Sequence, residues 1–154
     1  MAEARIVRNS EGEAYEEHWK FKHGSLTGGV FDFMVGEIEY LTGPPLHVHE
    51  EQDDTFFVLE GVLTVQVDEE LFEIGPGDFA TVPPGVPHTF DNVDKDQPPV
   101  KAVNLMTPGG IDEQFRAMAL LQKAGGDPDA MAELRKKHGV TSVGPTLGVK
   151  LGLI

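Results

Sequence analysis

Three histidines in two short stretches of this chain stand at spacings that suit a set of metal ligands. The stretch 43–61, GPPLHVHEEQDDTFFVLEG, carries His47 and His49, and the stretch 77–92, GDFATVPPGVPHTFDN, carries His88. Residues two apart on a β-strand point to the same face, so His47 and His49 share one. Neutral imidazoles that converge make good ligands for a divalent transition metal. A carboxylate from the acidic run 50–54 can complete the set, and the strand alternation puts Asp54 and Asp53 on opposite faces. Three imidazoles and one carboxylate leave two open positions on octahedral Fe, Mn, Ni or Co, and none on tetrahedral Zn. An open position is what metal-assisted catalysis requires.

The segments around these residues read as short β-strands. From Val30 apolar residues alternate, with Phe31, Phe33 and Val35 interleaved by Asp32, Met34 and Gly36. Further runs are expected near 47–49, 55–60, 62–67, 71–74, 79–82, 87–90 and 100–106. Between them lie turn signals such as Gly75-Pro76-Gly77-Asp78 and Pro83-Pro84-Gly85. Short strands at this spacing imply an all-β sandwich or barrel. Phe56 shares the face of Asp54 and Phe90 that of His88. With Phe33 and Met106 they are the apolar candidates for the wall of a substrate pocket. Residues 1–29 are polar and mixed, with no strand expected. His18, His23 and His138 are expected at the surface.

The pattern changes at Pro108. Ile111, Phe115, Met118 and Leu121 recur at helical spacing and predict a helix over 111–123 that packs on the strands. Asp127-Pro128 predicts a second helix to about 138, closed by Gly139. The tail, VTSVGPTLGVKLGLI, is apolar and needs cover, from the strands or from a partner subunit.

Length and composition bound the rest. A chain of 154 residues suits a single domain, 1–154, with one core. The net charge of −14 repels phosphate backbones and anionic membranes, which argues against nucleic-acid and membrane partners. Cysteine is absent, which excludes disulfides, zinc-thiolate sites and cysteine nucleophiles. The first residues lack the apolar stretch of a signal peptide, so a cytoplasmic location is expected.

The two histidine segments resemble the paired motifs of the cupin superfamily. In the first motif the matching positions are His47, His49, Asp54 and Gly61, with Gly43 standing closer to His47 than the pattern asks. The second motif is matched throughout by Gly77, Pro83, Gly85, His88 and Asn92. The resemblance implies a double-stranded β-helix, or jelly-roll barrel, with its core over about 30–106 and a C-terminal extension, 108–154, holding two short helices. It implies a divalent metal (Fe, Mn, Ni or Co, with Zn as a further option) inside the barrel on His47, His49, His88 and Asp54. Cupins usually carry Glu where this chain has Asp54. The missing methylene shortens the reach by about 1.5 Å. Asp54 therefore ligates through a shifted strand, ligates through water, or stays free as a base, with Gln52 or Asp53 as substitutes. On the same reading Asp54→Glu restores the usual reach and preserves or raises metal affinity.

The C-terminal part, TPGGIDEQFRAM followed by HGVTSVGPTL, is similar to single-domain cupins grouped with quercetin 2,3-dioxygenase. That similarity implies a metal-dependent dioxygenase acting on a small aromatic or enolic, flavonol-like substrate, with Asp54 as the catalytic base. The alternatives are a small-molecule-binding cupin without turnover, or a redox-neutral metal-dependent isomerase. A homodimer is expected from the apolar tail and the exposed strand edges.

Overall fold

The computed structural model describes residues 3–15 and 19–154. His18 lies outside the described residues. Among the described residues eleven strands run in chain order: β1 (Glu13–Tyr15), β2 (Trp19–His23), β3 (Asp32–Ile38), β4 (His47–His49), β5 (Asp53–Glu60), β6 (Leu63–Val67), β7 (Glu70–Ile74), β8 (Phe79–Val82), β9 (His88–Asp91), β10 (Val100–Thr107) and β11 (Val140–Ser142). Three helices lie among the C-terminal residues: α1 (Ile111–Lys123), α2 (Pro128–Lys137) and α3 (Leu147–Lys150). Among the described residues no helix is long and apolar enough to cross a membrane.

The strands form two antiparallel sheets. One has six strands in the order β1-β2-β3-β10-β5-β8, the other five in the order β11-β4-β9-β6-β7. The expected barrel is thus a sandwich of two sheets, neither of them closed on itself. The inner faces follow from alternation along the strands. On β10, Val100, Ala102, Asn104 and Met106 are buried, and on β5 Asp54, Phe56 and Val58 are. Trp19, Phe56 and Phe90 anchor the core, with ring contacts of 5.9 Å between Trp19 and Phe90 and 4.9 Å between Phe56 and Phe90.

Two features differ from the sequence reading. The polar N-terminal part contributes β1 and β2, because Trp19 and Phe21 alternate with lysines and extend the larger sheet beyond β3. On β3 the buried positions are Asp32, Met34, Gly36 and Ile38, so Phe33 lies on the outer face opposite Leu105. Asp32 points inward because α1 needs it. Gly110, before the helix, offers no capping side chain, and the Ile111 N–H donates instead to Asp32 Oδ2 at 2.8 Å. The Leu26 N–H and the Ser25 hydroxyl donate to the Asp112 carboxylate at 2.9 and 2.7 Å, which ties the start of α1 to a 3-10 turn at Ser25–Thr27.

Gly139 ends α2 at φ 77°, in the left-handed region, and the chain enters β11. Strand β11 pairs with β4, Val140 opposite His49 and Ser142 opposite His47. The helical extension is thereby attached directly to the strand that carries two of the histidines. Of the tail, Leu147 is buried, while Val149, Leu151, Leu153 and Ile154 stay exposed.

Candidate metal centre

Strand β4 is only three residues long, and its alternation turns His47 and His49 inward and Val48 outward. Strand β9 lies antiparallel beside it with His47 directly opposite His88. A cross-strand pair of this kind places two side chains on one face at close range. The rigid turn at Pro83-Pro84-Gly85 is fastened to the same strand, since the Gly85 N–H donates to the His49 carbonyl at 2.8 Å. Asp54 comes from the facing sheet. The ring centroids lie 4.6 Å (His47 to His88), 4.9 Å (His47 to His49) and 5.4 Å (His49 to His88) apart. One donor atom from each of His47, His49, Asp54 and His88 lies within 4.8 Å of all the others, and all four residues are buried.

This donor set fits a divalent transition metal. The Nδ1 atoms of His47 and His88 face the carbonyls of Pro45 and Val86 at 2.8 and 2.9 Å, which leaves each Nε2 to the centre. Carbonyl partners of this kind fix the tautomer and orientation of a metal-ligating histidine. Asp54 Oδ2 is 2.8 Å from His88 Nε2 and 3.5 Å from His49 Nε2. Two donors at right angles on one ion, with bonds near 2.1 Å, sit about 3 Å apart. Asp54 therefore reaches the cluster without a shift of β5. Gln52 points elsewhere, donating to the Pro108 carbonyl, and Asp53 is exposed on the opposite face.

Asn104 holds the other oxygen of Asp54, donating from Nδ2 to Oδ1 at 2.5 Å. Burial pushes the Asp54 carboxyl up, but hydrogen bonds and charge interaction with His49 and His88 outweigh it, and Asp54 ends well below the usual carboxylate range. Burial pushes His88 down, and the Asp54 carboxylate more than offsets this, so its net shift is upward. His47 is lowered to about 4, by burial first and then by repulsion from the other two imidazoles. A neutral His47 has an imidazole lone pair ready for a metal at ordinary pH.

His47, His49 and Asp54 of the cluster form one wall of a cavity of about 470 Å³. Phe90 and Met106 line it, as expected from the sequence. Phe56 does not; it is fully buried in the core behind, against Phe90. Phe33 does not either, because β3 presents it outward. His23 is half-buried against Phe31, and His138 Nδ1 faces the Leu134 carbonyl at 3.0 Å. Six polar residues of the wall escaped the sequence reading: Thr42, Asn104, Gln114, Gln122, Arg135 and Ser142. Asn104 was discoverable as the one polar residue on the inward phase of an apolar strand.

Comparison with known proteins agrees with this geometry. Residues 34–106 match the model of the cupin domain family. Over these residues the chain is similar to cupin domains. A quercetin 2,3-dioxygenase of Bacillus subtilis is 33% identical over 89 residues, 55% of this chain and 26% of that enzyme. The chain thus spans about a quarter of the length of that relative. Among solved structures, a sugar phosphate isomerase of the cupin superfamily from Silicibacter pomeroyi is 27% identical with a TM-score of 0.51, over 67% of this chain and 69% of that one. KdgF from Halomonas sp. shares the fold, with a TM-score of 0.59 at 17% identity over 72% of this chain and 99% of that one.

Proposed function

We propose that this protein is a metal-dependent enzyme of redox-neutral chemistry, an isomerase that moves a proton between adjacent carbons of a small hydroxy- or oxo-compound. The observation that carries the reading is Asp54. Among the described residues it is the one carboxylate lining the cavity, and it stands beside the three histidines with one oxygen held by Asn104. Similarity to the Silicibacter pomeroyi sugar phosphate isomerase supports the same class. A divalent metal held by His47, His49, His88 and Asp54 would supply Lewis acidity, which makes a substrate proton easier to remove.

Asp54 Oδ2 accepts that proton from one carbon and returns it to the next, while the hydroxyl proton passes to the neighbouring carbonyl oxygen, so the substrate isomerises with no net oxidation. Its pairing with His88 keeps Asp54 ionised, so the accepting form is fully populated at neutral pH; the same pairing lowers its basicity, and the substrate must be acidified to match. Phe90 and Met106 keep that part of the cavity apolar, which strengthens the electrostatics at the centre.

The test is solvent-deuterium incorporation into aldose and ketose substrates by manganese- or zinc-loaded protein, followed by NMR under anaerobic conditions. Deuterium should enter the substrate with wild type and not with Asp54→Asn. Absence of exchange across the panel would sink the isomerase. The identity to the Bacillus subtilis enzyme favours a second reading, dioxygenation of a flavonol-like substrate with Asp54 as its base. Oxygen uptake with flavonols would establish that reading in place of the first. On either reading the 154 residues act as one domain in a homodimer, the partner covering the exposed side chains of Phe57, Leu59 and Phe79.

A further inference from the structure

The cavity has a second wall, built by the C-terminal helices, with a chemistry opposite to that of the first. Helix α1 lines it with residues at helical spacing, Ile111, Gln114, Phe115, Met118 and Gln122. Helix α2 contributes Arg135. Met131 is the buried residue of α2, and Arg135, four positions on, lies on the same face one turn later.

Arg135 is half-buried, and its side chain makes no hydrogen bond or ion pair with any described residue. In a chain carrying −14 acidic groups outnumber basic ones, yet no described acidic group forms an ion pair with Arg135. By contrast, Arg116 is paired with Glu13 and Lys150 with Glu69. A partly desolvated guanidinium without a counter-ion is costly, and an anion that meets its planar fork relieves the cost. Asp54 is not that anion, since its ion pairs are with His88 and His49 and not with Arg135.

Gln114 makes a second, independent observation. It is 5% exposed, and its Oε1 is buried without a partner. Its Nε2 reaches only the sulfur of Met118, at 3.5 Å. An unmet acceptor of this kind costs free energy unless a donor arrives. A ligand hydroxyl is such a donor.

We propose that Arg135 and Gln114 form an anion-recognition subsite, so that the substrate is a small anionic hydroxy- or oxo-compound whose carboxylate or phosphate pairs with the Arg135 guanidinium. This deepens the proposed function and rests on it for the reacting end of the molecule. The subsite has a fixed relation to the cluster, because α2 runs through Gly139 into β11, which pairs with the strand of His47 and His49. Arg135 grips the charged end, Gln114 accepts from a hydroxyl, and the reacting carbons are held toward Asp54. Such positioning is worth far more than the contact itself when the reaction needs alignment.

The experiment uses three compounds on one carbon skeleton: glucose, glucose 6-phosphate and glucuronate. Their binding to zinc-loaded wild type, Arg135→Gln and Arg135→Lys is measured by calorimetry, and bound zinc is measured by atomic spectroscopy. At least one anionic member should bind wild type ten times more tightly than glucose, and the tighter of the two distinguishes phosphate from carboxylate. Arg135→Gln should erase that preference while leaving glucose affinity and zinc content unchanged. Arg135→Lys should keep part of it, since it retains charge but loses the fork. Equal binding of all three compounds by wild type, or none, would overturn the proposal, as would a preference that survives in Arg135→Gln. Arg135-dependent anion binding without deuterium exchange in any substrate would leave the subsite standing and remove the isomerase.

Discussion

Replacing Asp54 by Glu puts the metal centre to a quantitative test. The substitution restores the residue that cupins usually carry, so the sequence alone predicts equal or tighter metal binding. The geometry predicts the reverse. Asp54 Oδ2 already stands 2.8 and 3.5 Å from the Nε2 atoms of His88 and His49, on either side of the ~3 Å that a shared ion requires. Glu would carry the carboxylate about 1.5 Å further, into the imidazoles. Strand β5 cannot withdraw to make room, because Asp54 is in register with Val82 on one side and Met106 on the other. Forcing a methylene into a closed site costs about 1–3 kcal/mol, which corresponds to roughly 5- to 150-fold in affinity. The assay is competitive titration of manganese, nickel and zinc against a chromophoric chelator at pH 7, with thermal melts of the metal-free proteins alongside. The expected result is metal affinity lower by that factor and an earlier melt. Affinity in Asp54→Glu equal to or above wild type would refute the claim that Asp54 sits at ligand reach, and would place it in contact with the metal only through water.

Three further outcomes are expected. Burial raises Asp32 to about 6 against the backbone N–H groups of Ile111 and Gly110, with Asp112 adding to the rise; because the folded form holds the proton more tightly, its stabilising effect is full below about pH 3.8 and is lost as the pH rises through 6. Urea unfolding at pH 4 and 7.5 should therefore show Asp32→Asn gaining about 2 kcal/mol on wild type across that window, after allowance for screening, and a change of opposite sign would contradict this. His88→Ala removes a donor and the partner of Asp54, so the purified variant should hold no stoichiometric metal by atomic spectroscopy, whereas retention of one equivalent would exclude His88 as a ligand. Phe57 and Phe79 face each other across β5 and β8 with 39% and 63% of their surface exposed; light scattering should give a dimer for wild type and a monomer for Phe79→Glu, and a wild-type monomer at micromolar concentration would remove the homodimer.

Local pattern and long-range placement account for what could be read in advance. Helix α1 follows its apolar periodicity, and its bounds, Ile111–Lys123, are those the spacing predicts. Gly61 and Gly85 take left-handed φ values of 82° and 83°, as their turns require. Strand β2 was missed because WKFKH hides its two aromatics between lysines, and β11 because three residues carry too little pattern. Phe33 was assigned to the wrong face because β3 has apolar residues on both phases. Only the cap that α1 needs from Asp32 shows which phase turns inward. Arg135 could not be placed at all: its role depends on how α2 folds back over the cavity, and nothing local in PDAMAELRKK records that.

Asp54 shows the boundary most clearly. Its type and spacing suggest a ligand that is one methylene short. Reach, however, is a distance between strands, not a property of a side chain. It is set by where β5 of one sheet lies over β4 and β9 of the other, and the pairing of β5 with β8 and β10 fixes that placement. A shorter carboxylate on a closer strand delivers its oxygen to the same point, and Asn104, on β10 beside it, steadies the other oxygen. The residue that departs from the usual pattern is thus matched to its own framework, which is why the usual Glu should fit this site worse.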